Sequence, residues 1–528
     1  MRTSVPEVPR GLRAVEGAPV PHAGYLRGDF SSQDTMVHTP VLRDMAEDVR
    51  RAWVQASAHT IDALQNNGWL AGGVEAAISS IIGDGLKLSA KPDHEALGMT
   101  ASQAEIWAKK VERRYETRCE NAYECDAGAR YTSGQLEAAH LRQFFGTGEG
   151  VSQFLMIPRQ GLKSETRVRL LPSHWLSNET NEFERLQQGV RLDKHGAPVS
   201  YKFRLKNKQG LTTESEYRAR DRFGRPVIRH IFDGHAAQVR GITVLAPVIK
   251  RFRDFDQLTG STLAASFLHA MFAATVESDY PTQDVLEALG GGQGGMWESF
   301  VDHRAAQKKV ADIKLGSYGK IPHLFSGEKL HLHGAKYPNA NYEPLANFLL
   351  REIARCLGVL FEDLTGDYRG ATYSSLQNGI AKNWPISLYR RKHIAVPFKQ
   401  ADYEAWLEEQ IDKGLIEFPS GLHGFLQNKD AACRAKWLGP AKPVADELKA
   451  ARSDEIYWNM GSKSQGRIAA DRGWDIDDEL EAQEREQKIR KKRRLADPRE
   501  RNSSAQERTD QAISDENEKE NDDEVGKQ

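Results

Sequence analysis

Glu362, Asp363 and Asp367, followed at once by Tyr368 and Arg369, are the residues of this 528-residue chain whose types and spacing first invite chemistry. Carboxylates this close can hold a divalent cation or divide acid and base roles between them. The stretch from Glu362 to Thr372 also carries Thr365, Gly366 and Gly370 and few apolar anchors. Turn-making and solubility on an exposed, mobile loop are therefore the simpler roles for these side chains.

Other candidates are weaker. The glycines between Gly290 and Gly295 lack the GK[ST] ending and the strand-loop-helix setting of a phosphate-binding loop, and Gly461-Ser462-Lys463-Ser464 fails on the same ground. His303, His323, His331 and His333 share one segment, and an HxH on a strand puts both rings on one face. No Cys or carboxylate follows at metal-ligand spacing, so neither a metal nor any other cofactor is expected. There is no GxSxG elbow and no local Cys/His signature of a thiol nucleophile, so no enzyme is expected. Two basic clusters, Arg390-Arg391-Lys392-His393 and the run Lys488, Arg490, Lys491, Lys492, Arg493, Arg494, suit phosphate contact; each taken singly reads first as a solvated helix face.

Elements must position these groups. The segment before the acidic stretch has Leu345, Phe348, Leu349, Ile353, Cys356 and Leu357 at three- and four-residue spacings, Pro344 near its start and Gly358 at its end, which predicts a helix. A second helix restarts at Ser374 and runs to Leu415, with Pro385 and Pro397 expected to kink or restart it. Nearer the N-terminus, helices are expected over Val41–Gln65 and Leu70–Ile82, a strand over Leu86–Ser89, and a charged helix over 101–120. Short alternating runs between Ser152 and Phe232, separated by turns, predict a β-rich unit, and a long helix is expected from Gly241 to about Glu277. Between that helix and the one at 342 lies an insert, 278–341, with a strand at Lys329–His333. From Asp477 the chain is almost wholly charged or polar, expected as helix and then disorder.

Composition bounds the rest. Apolar residues make up 39% and charged residues 28%, and no apolar run approaches the length of a bilayer span, so no membrane partner is expected. The N-terminal stretch lacks the apolar core of a secretory signal, and the protein is expected to stay where it is made. Four cysteines without a CxxC pair read as reduced thiols. With 73 basic against 74 acidic residues, net charge does not announce a nucleic-acid partner.

Four blocks, in order, resemble the lambda-type phage portal proteins. LQNNGW (64–69) through IIGDGLKL (81–88) is similar to the family's early Asn-Asn helix and its VGxGixL turn. HIF (230–232) followed by QVRGITVLAPV (238–248) resembles its HxF…GQxRGxxxLAPV block. LREIARCLGV (350–359) through LTGDY (364–368) and YSS (373–375) resembles LRxIAxxLGVxYExLTxDYxxxxYSSxR, and WLGP (437–440) through Ala451 resembles its closing WxGP…DPxKexxA block. The sequence departs from the family at four places: Leu376-Gln377-Asn378 follows Tyr-Ser-Ser and lacks the usual Arg, Phe361 replaces Tyr, His235-Ala-Ala precedes Gln238 where Gly is usual, and Glu447 follows Asp446 where Pro is usual.

The resemblance implies an α+β portal fold with wing, stem, clip and crown regions, assembling as a dodecameric ring around a central channel. It places a flexible segment at 1–40, the wing at 41–240 with its β-rich part at 152–232, the first stem helix at 241–277, the clip at 278–341 and the second stem helix at 342–358. A tunnel loop at 359–373, a long wing helix at 374–415, the crown at 416–490 and a disordered charged tail at 491–528 complete it. The function implied is the DNA entry and exit channel at one capsid vertex of the virion, assembled in the host cytoplasm. Its implied partners are double-stranded DNA, the terminase large subunit, the major capsid and scaffold proteins, and head-tail connector proteins. In that setting Glu362, Asp363, Thr365, Asp367, Tyr368 and Arg369 are expected to face DNA, and the basic run 488–494 to meet DNA or scaffold. Two other classes stay open on the residues: a metal-dependent nuclease or other DNA-processing enzyme of a phage or prophage, using Asp363, Asp367 and a clip histidine, and an oligomeric scaffold that is not a portal.

Overall fold

The computed structural model describes residues 44–206, 212–271, 274–278, 313–315, 319–321, 328–332, 341–444 and 446–495. The expected N-terminal segment 1–40, most of the insert 278–341 and the tail beyond 495 lie outside the described residues.

The fold grows outward from one apolar helix. After α1 (Met45–Asn66) comes α2 (Gly68–Ile82), whose sequence GWLAGGVEAAISSII is apolar or small nearly all round, as suits a helix buried between others. Asn67 starts α2 two residues earlier than the expected Leu70: its side-chain oxygen accepts from the Leu70 N–H at 3.0 Å, and its amide donates to Asp256 at 2.7 Å. The chain then forms β1 (Lys87–Ala90), α3 (Ala101–Glu120) and α4 (Ser133–Thr147).

A β-rich unit comes next, as the alternating runs predict. The strands β2 (Glu149–Met156), β3 (Thr166–Leu171) and β8 (Ile228–Phe232) form an antiparallel sheet in the order β3-β2-β8; β4 (Leu186–Gln187), β5 (Val190–Leu192), β6 (Pro198–Lys206) and β7 (Thr212–Arg218) form a second antiparallel sheet in sequence order. Val151, opposite Leu171, packs with Leu176, Val190, Tyr201 and Phe203 to fill the space between the sheets.

The helix expected over 241–277 is shorter. Residues 241–245 are held away from helical geometry: the Gly241 N–H donates to Glu149 at 3.0 Å and the Thr243 hydroxyl to the Phe145 carbonyl at 2.6 Å. A short 3₁₀ turn carrying Pro247 leads into α5 (Ile249–Met271). Within the rest of the expected helix, the described residues form β9 (Ala274–Ser278), antiparallel to β12 (Glu328–Leu332), which accounts for the strand expected at 329–333; between them in sequence, β10 (Ile313–Leu315) pairs antiparallel with β11 (Gly319–Ile321).

Then come α6 (Tyr342–Leu357), the short α7 (Phe361–Thr365), α8 (Tyr373–Arg390), a π turn (Arg391–Ala395) and α9 (Val396–Asp412). The long helix expected from 374 is thus α8 and α9 joined without a break. Pro385 is tolerated inside α8, and Pro397, which has no N–H to bond back four residues, sits just past the π turn, where the ladder has already slipped. β13 (Ala435–Leu438) pairs with β1, and α10 (Glu447–Asn459), α11 (Gln465–Asp471) and α12 (Ile476–Arg493) end the described chain. The helical part of the tail therefore runs past 490 to Arg493. No helix among the described residues is long and apolar enough to cross a membrane.

The main core joins α2 to α4, to the start of α5, and to α6, α7 and the π turn. A second, aromatic cluster sets α3 against α9, with Tyr115 and Trp406 ring centres 5.0 Å apart. α9 is unusual in burying charge, and each charge ties down a different element. Lys399 meets Glu137 of α4 at 2.7 Å, Asp402 takes Arg118 of α3 at 2.7 Å, Glu408 takes Arg225 at 2.5 Å and Lys429 at 2.9 Å, and Glu409 accepts from the Thr166 N–H of β3 at 2.8 Å. Buried pairs of this kind specify which surfaces meet more than they add net stability. Nothing in the alternation or spacing of 396–412 announces them.

Two departures from the family pattern have a visible cost or lack of one. Ala237 stands where the family has Gly before Gln238, and it adopts φ +62°, a left-handed backbone that a Cβ disfavours by about 1–2 kcal/mol. Ala237→Gly is expected to raise stability by about 1 kcal/mol, read as an increase in the midpoint of thermal unfolding. Asp446 caps α10, accepting from the Lys449 N–H at 3.1 Å, and Glu447 occupies the first helical position, where Pro is favoured but an acidic residue also suits the helix dipole.

Candidate functional site

The acidic stretch is built on α6. Ala346, Leu349, Leu350, Ile353, Ala354 and Leu357 form its buried face. Leu345 and Phe348, expected on the same stripe, lie on the opposite face at 48% and 61% exposure. Gly358 ends the helix in a left-handed conformation, φ +74°, its N–H bonded to the Ala354 carbonyl at 2.9 Å.

The segment after Gly358 is not a wholly exposed loop. Phe361–Thr365 form a helical turn, and Leu364, 5% exposed, points into a notch on α2 left by Gly73. A Cβ at Gly73 would press on the terminal methyls of Leu364 and Leu357, so a larger residue there would have to push both leucines aside. The root of the segment is thereby pinned to the core. Phe361, in the place of the usual Tyr, lies under Arg351, whose guanidinium carbon is 5.1 Å from the ring centre. Thr365 is half-buried and donates to the Phe361 carbonyl at 2.8 Å, so its hydroxyl is turned inward.

The polar tip closes on itself. Tyr368 donates to Asp363 at 3.0 Å. Arg369 takes Asp367 from two sides, at 2.9 Å through Nε and 2.7 Å through Nη2, and reaches Glu343 in the first turn of α6 at 3.0 Å. The Arg369 bonds, from side chain and backbone, hold the Asp367 carboxyl down at about 2, and Arg369 itself is raised by the same contact. Burial, then the bond to Asp363, pushes the Tyr368 phenol up. Beneath Asp367 and Arg369 lies a groove of about 570 Å³, walled by Trp69, Phe255, Tyr342 and Leu350. Gly366 and Gly370 supply the positive φ angles that bracket the tip, and Thr372, capped reciprocally with Ser375, starts α8.

Asp363 and Asp367 are thus engaged by different partners rather than converging on one point. Of the four histidines, 303, 323 and 333 lie outside the described residues; among the described residues no group of three or more His, Cys, Asp or Glu side chains is arranged to hold a metal.

The two basic clusters part ways. Arg390 and Arg391 are neither a solvated face nor a phosphate site. Arg390 bonds the Leu357 carbonyl and Arg391 the Ile81 carbonyl at 2.6 Å, so each caps the C-terminal end of a core helix. Burial lowers both guanidinium groups to about 10. The run 488–494 ends α12, remote in contact from the acidic tip. Lys488 pairs with Glu484 at 2.5 Å and Arg490 with Glu486 at 2.7 Å along the helix, while Lys491, Lys492, Arg493 and Arg494 are exposed.

Residues that sequence reasoning passes over surround Glu149. Its carboxylate, fully buried, takes Arg240 at 2.8 and 2.9 Å through Nε, His230 at 2.8 Å and the Gly241 N–H at 3.0 Å. His230, Arg240 and Gly241 all belong to the second resembling block; their partner, in the first strand of the β-rich unit, belongs to none of the four.

Comparison with known proteins agrees with these blocks. The family model described as phage portal protein, lambda family, matches residues 33–391. The portal protein of Escherichia phage N15 is 25% identical over 457 residues, covering 84% of this chain and 86% of that protein, and portal protein B of Escherichia phage lambda is similar to the same extent. Among solved structures, a chain from the neck of an empty gene transfer agent particle is 15% identical with a TM-score of 0.45, covering 78% of this chain and 93% of that one. The family match spans well over half of the chain and takes in three of the four blocks as well as the pinned acidic segment: the chain belongs to the lambda family of phage portal proteins.

Proposed function

We propose that copies of this chain assemble as a ring, a dodecamer, at one vertex of the capsid, and that the segment from Glu362 to Arg369 lines the narrowest part of its bore. DNA enters through that bore, driven by a terminase large subunit docked on the 278–341 side, and head-tail connector proteins later bind the same end. Major capsid and scaffold proteins surround the vertex during assembly in the host cytoplasm. The observation that carries the reading is a segment fixed at its root by Leu364 and exposed at its tip.

Duplex DNA carries one negative charge per roughly 1.7 Å of axis, so a ring of free arginines would hold it fast. Here the one arginine of the tip is already neutralised by Asp367 and Glu343, and Glu362 and Asp363 add negative charge. Such a surface guides a duplex without gripping it.

Deleting 363–370 is expected to leave rings with a central hole in negative-stain images and to abolish DNA-filled particles. Because that deletion also removes Leu364, a second variant replaces only 366–370 with Gly and Ser and should show the same defect. Rings that package normally in both variants would rule out the assignment.

A further inference from the structure

The helix α12 is divided by charge. Its first half, Asp475 to Glu486, is acidic with Arg485 the single cation, and its second half carries the basic run. A helix dipole favours acids in the first turn, which accounts for Asp477, Asp478 and Glu479. It does not account for what Asp477 and the more distant Glu481 touch. These two, one turn apart on one face, land on cations far away in sequence. Lys91, just after β1, meets Asp477 at 2.8 Å; Lys109 and Arg113, one turn apart on α3, both meet Glu481, Arg113 at 3.3 Å.

No residue of α12 is buried. Behind the contact lies a cavity of about 530 Å³ between α3, the start of α4 and the entry to α12, with Glu112, Asp475, Asp478 and Glu479 on its walls. The joint is therefore held by partly exposed ion pairs over a hollow. Such pairs are individually weak and screened by salt.

We propose that the acidic half of α12 is a detachable arm that covers a basic strip, Lys91, Lys109 and Arg113, and that the strip binds a polyanion, the phosphate backbone of duplex DNA, when the arm lifts. Two carboxylates at one-turn spacing stand where successive phosphates would, and both partners on α3 repeat at the same spacing. Lifting the arm also frees its basic second half to swing. This proposal stands apart from the role of the 362–369 segment.

The joint responds to pH as well as salt. Burial first, then Asp475 and Asp478, raise the Glu112 carboxyl to about 7; Lys91, the Ala90 N–H and Tyr403 of α9 are the other groups facing it. A carboxyl whose proton is held more tightly with the arm down favours docking while it is protonated. That contribution is full below the ordinary carboxylate range and is lost as pH rises through about 7. Glu481 is shifted the other way by Lys109, so its pairs are kept at neutral pH and lost only in acid.

The test uses the full-length protein, hydrogen exchange across 476–484, and binding of a random-sequence DNA duplex. In D477N/E481Q the exchange is expected to rise about tenfold and duplex affinity to rise about tenfold, the latter gain vanishing when K91Q/K109Q/R113Q is added. The charge-matched variant E95Q/E182Q should change neither. In the wild type, exchange should rise with salt and, after correction for intrinsic rates, between about pH 6 and pH 8, a rise absent in E112Q. Unchanged exchange in D477N/E481Q overturns the arm. A duplex gain that survives loss of the three cations, or that E95Q/E182Q reproduces, overturns the strip.

Discussion

Arg240→Ala is expected to cost about 3–5 kcal/mol, enough to leave much of the chain unfolded or aggregated at 37 °C, because it strands the Glu149 carboxylate in the interior without its cation. Arg240 and Glu149 are both fully buried. Beyond Glu149, the guanidinium donates to the carbonyls of Gln188 at 3.1 Å and Ser173 at 3.3 Å and lies 4.4 Å from the ring of Trp53. One side chain thus joins both sheets of the β-rich unit to α1 and to the turn that aims α5. Burial by itself would raise the Glu149 carboxyl; Arg240 and His230 outweigh it and hold it at about 2. A depressed carboxylate contributes stability that is complete above its ordinary range near 4.5 and is lost as pH falls from there toward 2. Urea midpoints at neutral pH check the first claim, and their fall in acid checks the second. The double variant E149L/R240M, which removes both charges, should recover most of the loss. A single variant with a midpoint near that of the wild type would show that water or another cation reaches Glu149.

This pair also marks how far the sequence can be read. The resembling block around 230–248 points to Arg240 and Gly241, and helix spacing gives α6 with its stop at Gly358. The pattern cannot reveal Glu149, since a buried ion pair depends on two distant segments meeting, and neither segment alone looks different from a solvated one. The same holds for α9, where Lys399, Asp402, Glu408 and Glu409 read as an ordinary polar face and are instead the charges that fasten five neighbouring segments. Arg390 and Arg391 mislead in the same way, because a cation that caps a carbonyl leaves no local trace. The acidic segment does lie between two helices, as the spacing predicts, but its root is invisible to spacing. Leu364 is one apolar residue among charges, and only the notch at Gly73, nearly three hundred residues earlier, makes it an anchor. Periodicity also overruns at α5, since it is blind to hydrogen bonds that pull 241–245 away from a helix.

The strongest effect on function, as distinct from folding, is expected at Arg369. Its side chain is 79% exposed and Glu343 is 64% exposed, so reversing the charge with Arg369→Glu should shift the thermal midpoint by no more than about 2 °C. The consequence for the segment is larger. The introduced carboxylate would stand beside Asp367 and Glu343, and three carboxylates in place of one closed cluster would drive the tip off α6 while Leu364 still holds its root. Under the proposed reading, every copy in the ring then presents a displaced, more acidic tip toward the duplex, and the yield of DNA-filled particles should fall by about an order of magnitude. The charge-swapped double variant E343R/R369E re-forms the tie with its polarity inverted. It should restore most of the yield, while placing a cation in the first turn of α6 costs roughly a few tenths of a kcal/mol in stability. Two outcomes would refute this account of the tip: R369E particles that fill normally, or a double variant that packages no better than the single one. Intact rings in negative-stain images of each variant establish that the difference arises at the bore and not in assembly.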